Sequence, residues 1–164
     1  MLLIKLLIDG FFAAIAGCGF GAISNPPRRA FLYIAILAAI GHALRTLLMG
    51  TFSFDIATAS LCAGILIGFT SLPLGRISYC PATVLYIPAL LPMIPGKFAY
   101  NSIFSMILFV QNINDEIVSA YYMEKFFANF MVTCSVIFLL AVGATFPVFV
   151  FPNKAYRMTR HQKK

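Results

Sequence analysis

The chain has 164 residues, of which 61% are hydrophobic and only 10% charged, and its mean hydropathy is +0.92. A soluble domain carries about 25% charged residues, so there is too little polar surface here to coat a water-facing globule, and a soluble catalytic domain is excluded. A membrane span needs roughly 20 mostly apolar residues. The length therefore allows four or five helical spans joined by short loops, an all-α polytopic transmembrane bundle. The net charge is +7, and five of the twelve basic residues (Lys154, Arg157, Arg160, Lys163 and Lys164) lie in the last eleven positions. Residues 1–152 read as the transmembrane helical domain and 153–164 as a basic cytoplasmic tail. Juxtamembrane lysine and arginine are drawn to anionic lipid, and the tail is read that way rather than as a nucleic-acid arm.

The first apolar stretch is 2–23. Its Ile15-Ala16-Gly17-Cys18 resembles a lipoprotein cleavage box, but Asp9 interrupts the would-be signal core and only Lys5 precedes it, so the stretch is read as a span. Ser24-Asn25-Pro26-Pro27 forbids continuation, because proline lacks the amide donor and clashes with the preceding turn. The second stretch, 30–49, carries Gly41-His42-Ala43-Leu44-Arg45. His42 and Arg45 lie three apart, on neighbouring parts of one helix face. Arginine can grip a carboxylate with two parallel hydrogen bonds, and histidine changes charge near neutral pH. The pair suits recognition of an organic anion with proton coupling. The competing reading has Arg45 snorkelling to the outer interface and His42 packed as a neutral side chain. The third stretch is 56–72, followed by a turn-forming piece from Pro73 to Pro81. Gly17 with Gly21, and Gly64 with Gly68, are four apart, a spacing that lets helices approach closely.

The fourth stretch, 83–110, is about 28 residues, or roughly 42 Å if helical, too long for an upright span. It holds Pro88, Pro92 and Pro95, then Gly96, and cannot remain a straight helix. The expected structure is two half-helices meeting near the bilayer midplane, broken at Pro92-Pro95-Gly96. The freed carbonyls and amides must face protein or a watery cavity, and transporters use such breaks as binding sites. Lys97 falls at the break and adds positive charge to the start of the second half. Asn101 and Ser105 share one face of it. A packing kink with Lys97 snorkelling is the bland alternative. A re-entrant hairpin is another, and it would put the basic tail outside. Residues 111–124 form the one long polar connection, with Tyr121-Tyr122 marking the outer interface. The fifth stretch, 126–149, contains Asn129, Thr133 and Ser135, read as interhelical hydrogen-bonding groups with Asn129 foremost.

Charge sets the expected orientation. Cytoplasmic loops are enriched in lysine and arginine. With five spans, Arg28-Arg29, Arg76 and the tail fall on one side, and Asp9, Asp55, Asp115, Glu116 and Glu124 at or near the other. The N-terminus is then outside and the C-terminus inside, with Lys5 and Lys125 as exceptions. Four spans, obtained by dropping the second stretch, would strand Arg28, Arg29 and Arg45 in one outside loop. The four cysteines have no paired spacing, and no metal cluster, cofactor motif or catalytic constellation is evident, which argues against an enzyme.

Asn25-Pro26-Pro27-Arg28, Gly41-His42-x-x-Arg45, Pro92-Met93-Ile94-Pro95-Gly96 with Tyr100, and Asn129-Phe130 together resemble the threonine/serine exporter (ThrE) family. They are most similar to the short membrane subunit of its split, two-component form (YjjB-like). The resemblance implies a multi-pass protein of the bacterial inner (plasma) membrane, equivalent to the C-terminal membrane half of the fused exporters. Its partner would be a larger ThrE-type membrane subunit with its own helices and a soluble N-terminal region. The implied cargo is threonine and serine, or succinate-like dicarboxylates, moved at the expense of an ion or proton gradient and without a cofactor. Candidate substrate contacts are His42, Arg45, Pro92, Pro95, Gly96, Tyr100 and Asn129, with Lys97 and Asn101 added from their place at the break. Lys97 departs from the family pattern. Two other readings remain: a non-transporting membrane scaffold, and a passive pore formed by a homo-oligomer.

Overall fold

Prolines and aspartates set the helix ends in the computed structural model, which describes residues 2–151. Helix α1, Leu2–Ile23, stops where Asn25 takes a left-handed φ of 45° ahead of Pro26 and Pro27. Pro27 is extended (φ −59°, ψ 143°) and leads into α2, Arg28–Thr51. Asp55 caps the next helix: its Oδ2 accepts the Ala57 and Thr58 amides, each at 3.0 Å, and its Oδ1 accepts the Thr58 hydroxyl. The Thr58 hydrogen bonds hold this exposed carboxyl below the usual carboxylate range. Helix α3 then runs Ile56–Ser78. It ends in a Schellman motif, with the Cys80 amide on the Gly75 carbonyl (3.0 Å) and the Tyr79 amide on that of Arg76 (3.3 Å). Tyr79 occupies the left-handed position (φ 55°) where glycine is usual.

Helix α4, Ala82–Leu90, passes into a 3₁₀ turn, Leu91–Met93, and α5 begins afresh at Gly96–Gln111. After a turn at 112–115, α6 runs Glu116–Val150. Among the described residues the chain is all-helical, with four helices long and apolar enough to cross a membrane, or five if the broken pair Ala82–Met93 and Gly96–Gln111 counts as one span. This is the expected polytopic bundle.

Two boundaries differ from expectation. The third helix does not end at Pro73 but carries it internally. A proline removes one donor, and a helix packed in a bundle can absorb that loss through local adjustment. The long polar connection is largely helical as well. Asp115 Oδ1 accepts the Ile117 and Val118 amides (3.2 and 3.1 Å) and so starts α6 nine residues before Lys125. Polar side chains alone did not forbid a helix there. At 35 residues, α6 is about 52 Å long, more than the ~30 Å hydrocarbon core. The basic tail, 153–164, lies outside the described residues.

The chain forms two compact units, one of residues 2–93 with 139–151, the other of 94–138. In the first, α2 is the hub, touching α1, α3, α4 and the 3₁₀ turn. Its buried residues Ala30, Ile34, Leu37, Ala38 and Gly41 recur at helical spacing. Lipid tails are as apolar as leucine, so such helices associate by close packing rather than by escape from water. Small residues supply that packing where the sequence placed them. A Cβ on Gly17 would lie 2.9 Å from Ala38 Cβ, and one on Gly21 3.1 Å from Ile34 Cδ1. Gly64, Gly68 and Gly143 form a second seam between α3 and the end of α6, where a Cβ on Gly68 would meet the Ala144 carbonyl oxygen at 2.5 Å. The second unit consists of α5, the turn at 112–115 and the first part of α6. Its Tyr100 and Phe104 rings stack at 6.0 Å.

The seam makes a direct prediction. Gly68→Ala forces two backbones apart and should cost about 1–3 kcal/mol, the usual range for overpacking. Gly19→Ala meets nothing within 4 Å and should be neutral or slightly stabilising, because alanine is the better helix former. Thermal unfolding of both variants in one detergent checks the difference. Equal melting temperatures would refute the close approach.

Candidate functional site

The break in the fourth stretch is built by Pro95. Its φ of −81° and ψ of 69° place it at the centre of an inverse γ-turn, closed by the Gly96 amide on the Ile94 carbonyl at 2.8 Å. Helix α5 then starts with the Phe98 and Ala99 amides sharing the Pro95 carbonyl (3.0 and 3.1 Å). The span breaks at Pro92-Pro95-Gly96 as expected, although Gly96 has no positive φ and a Cβ at position 96 would meet nothing within 4 Å. Proline's fixed φ and missing donor are sufficient. Pro88, in contrast, is accommodated inside α4.

The turn before the break leaves the Met93 carbonyl at the end of a helical segment. Arg45 of α2 takes it, with Nη1 donating at 2.5 Å. The Gly-His-x-x-Arg motif therefore has a structural logic. Gly41 has no side chain to hold α2 away: a Cβ there would lie 2.3 Å from Ile67 Cδ1 and 3.7 Å from Met93 Sδ. One helical turn on, on the same face, Arg45 hydrogen-bonds the backbone of that same Met93. Arg45 is half-buried and turned to the break. It does not simply snorkel away from the bundle.

His42 lies beside this contact and lines a cavity of about 260 Å³ with Asp9, Phe12, Ala13 and Ala16 of α1 and Pro92 of the 3₁₀ turn. Among the described residues, His42 Nδ1 is the one buried side-chain nitrogen or oxygen with no hydrogen-bond partner. Across the cavity Asp9 Oδ2 accepts the Thr46 hydroxyl at 3.3 Å. Asp9 is half-buried within α1; the sequence reading used it to mark the outer side and to argue against a signal core, not as a site residue. The available signal was a carboxylate inside an apolar helix, which by default marks a functional position.

The structure therefore brings three of the candidate residues together, His42, Arg45 and Pro92, and adds Asp9 and Thr46. Pro95, Gly96, Lys97, Tyr100 and Asn101 belong to the second unit, at the γ-turn and the start of α5, where Lys97 and Tyr100 are exposed and Asn101 half-buried. Asn129 also lies in the second unit. Its Nδ2 donates to the Lys125 carbonyl at 2.7 Å, and Thr133 Oγ1 to that of Asn129 at 2.8 Å. These hydrogen bonds stay within α6 and do not join helices as expected. Polar side chains four residues from a carbonyl on their own helix can bond locally at little cost.

Removing the guanidinium should leave the Met93 carbonyl without its donor. Arg45→Met is expected to cost about 1–3 kcal/mol, the range for orphaning a buried acceptor. Gly96→Ala should stay within about 0.5 kcal/mol of wild type, as substitutions away from such features do. Melting curves of the two variants side by side test this. A harmless Arg45→Met would show that the break needs no partner.

Residues 9–150 match the family described as Threonine/Serine exporter, ThrE. An uncharacterized protein of Haemophilus influenzae is 34% identical over 149 residues, which is 91% of this chain and 48% of the relative. The chain thus spans about half the length of the curated relative it matches. No solved structure matches. With the matched segment running from Asp9 through the whole helical bundle, the chain belongs to the threonine/serine exporter (ThrE) family.

Proposed function

We propose that this chain is the membrane subunit of a secondary exporter for small carboxylate-bearing metabolites, with Arg45 as the group that receives the carboxylate. The observation that carries the reading is the Arg45 guanidinium docked on the Met93 carbonyl at a helix break, beside a cavity lined by His42 and Asp9. Arginine has five N–H donors. The bond to Met93 uses one and fixes the guanidinium's position, leaving the rest of the fork to hold a carboxylate bidentately. A cavity of about 260 Å³ is smaller than the ~300–1,000 Å³ of drug-sized pockets, which suits a metabolite of threonine or succinate size. His42 and Pro92 form its walls. In this reading Pro95, Gly96, Lys97, Tyr100, Asn101 and Asn129 remain candidate substrate contacts of the second unit.

The partner in this reading is a larger membrane subunit supplying what corresponds to the other half of the twofold longer relative. The chain sits in the bacterial inner membrane with its N-terminus outside and its C-terminus in the cytoplasm, which places Arg28-Arg29 and Arg76 on the cytoplasmic side.

Vesicles containing this chain and the larger subunit should move labelled threonine, serine or succinate saturably. Arg45→Lys should reduce transport about tenfold or more, because a point charge cannot replace a planar fork. Unchanged transport in Arg45→Lys and in Pro95→Ala would leave the chain as a scaffold for its partner. Orientation has its own check. A cysteine placed at exposed Tyr79, next to Arg76, should react with an impermeant maleimide only in opened cells, and one at Ser53 in intact cells. The reverse pattern would invert the topology.

A further inference from the structure

Asp9 and His42 line one cavity from two different helices. Asp9 has the Thr46 hydroxyl, while His42 Nδ1 is buried without any partner. A buried polar atom left unpaired in a native structure calls for an explanation, and a catalytic role or a bound water or ion is among the usual ones. The cavity of about 260 Å³ has space for several waters at about 30 Å³ each, enough to connect the imidazole with the carboxylate.

We propose that Asp9 and His42 form a proton-binding pair, joined through water in the cavity they line, whose charge state sets how strongly neighbouring Arg45 holds a carboxylate. The proton comes from bulk water and lands on the free lone pair of Nδ1, with the ring's other proton on Nε2. The pair changes from a lone carboxylate of charge −1 to a neutral imidazolium–carboxylate pair, and no other atom changes hands. The charged groups acting on His42 are Arg45 on its own helix and Asp9 on α1. From the other packed elements, the 3₁₀ turn presents Pro92, α3 carries Cys62 and Arg76, and α4 carries Tyr86; of these only Pro92 lines the cavity.

With the pair unprotonated, Asp9 and Arg45 cancel. A bound carboxylate then leaves the site with one net negative charge, and a proton on His42 returns it to zero. In a medium of low dielectric the neutral combination is strongly preferred, so proton and carboxylate favour each other's binding. Coupling of this kind between adjacent sites is typically about 5- to 150-fold. The inference rests on the reading of Arg45 as the carboxylate site only in this last step; the proton pair itself stands on the cavity.

The test needs no substrate, so its failure and a failure to transport are separate results. The chain has two histidines, His42 and His161. The chain with histidine ring nitrogens isotope-labelled, carrying His161→Gln and held in lipid nanodiscs, is titrated by nuclear magnetic resonance from about pH 4 to 9, the range in which a histidine changes charge. His42 should take up one proton, and Asp9→Asn should lower its proton affinity about tenfold, as loss of an adjacent opposite charge does. Thr46→Val, which removes the donor from Asp9 and leaves its charge less satisfied, should raise the affinity. No proton uptake by His42, or the same affinity in wild type and Asp9→Asn, overturns the pair. If Asp9→Asn does not fold, an unchanged affinity in Thr46→Val overturns it instead.

Discussion

A backbone carbonyl that loses its helical partner inside a membrane has no water to turn to, and the fold is arranged around one such group, that of Met93. Three features converge on it. The 3₁₀ turn tightens the chain, Pro95 prevents the helix from continuing, and Arg45 arrives from another helix with a donor. Each unsatisfied polar group in hydrocarbon costs several kcal/mol, so the break and the arginine depend on each other. A charged side chain in a span is costly by itself, and so is an open carbonyl. Together each satisfies the other's need, and the result is a fixed guanidinium next to a cavity.

Holding Arg45 there requires helices that lie closer together than ordinary side chains permit. Gly41 lets Ile67 and Met93 reach the backbone of α2, and Gly17 with Gly21 does the same for α1 against Ile34 and Ala38. Without the α1 contact the carboxylate of Asp9 would not line the same cavity as His42. The glycine seams are thus part of the site's geometry. The seam of Gly64, Gly68 and Gly143 ties α3 to the last turns of α6, within the unit that carries the cavity.

Much of this was legible in the sequence because it follows from strong local rules. Proline terminates helices and apolar length defines spans, so the bundle and the broken fourth stretch could both be read directly. Residues spaced three and four apart share a face, which put His42 beside Arg45 and paired Gly17 with Gly21 and Gly64 with Gly68. Three things were less legible. Pro73 does not end α3 and the polar run after Asp115 is helical, because tertiary packing and a single cap overrode local preference. At the break, Gly96 gives the amide that closes the γ-turn centred on Pro95, yet neither its φ nor its surroundings require a glycine. Asn129 and Thr133 bond along their own helix, and sequence spacing cannot distinguish that from a bond across helices.

Asp9 shows why pairwise reasoning from sequence stops where it does. It lies 33 positions before His42 and 37 before Thr46, and no periodicity links residues on different helices. What the sequence does offer is cost. A carboxylate between Ile8 and Gly10 in an otherwise apolar helix has to be met by something polar, and α2 is the next helix in the chain. Short connections make consecutive helices neighbours, so the polar residues of α2 at similar depth are the natural candidates. Seven residues from the start of α1 and five from the end of α2, Asp9 and Thr46 have comparable depths when the two helices run antiparallel. His42 is one turn deeper. The polar groups of α1 and α2 therefore converge by topology, and the broken helix closes the third side of the cavity with Pro92.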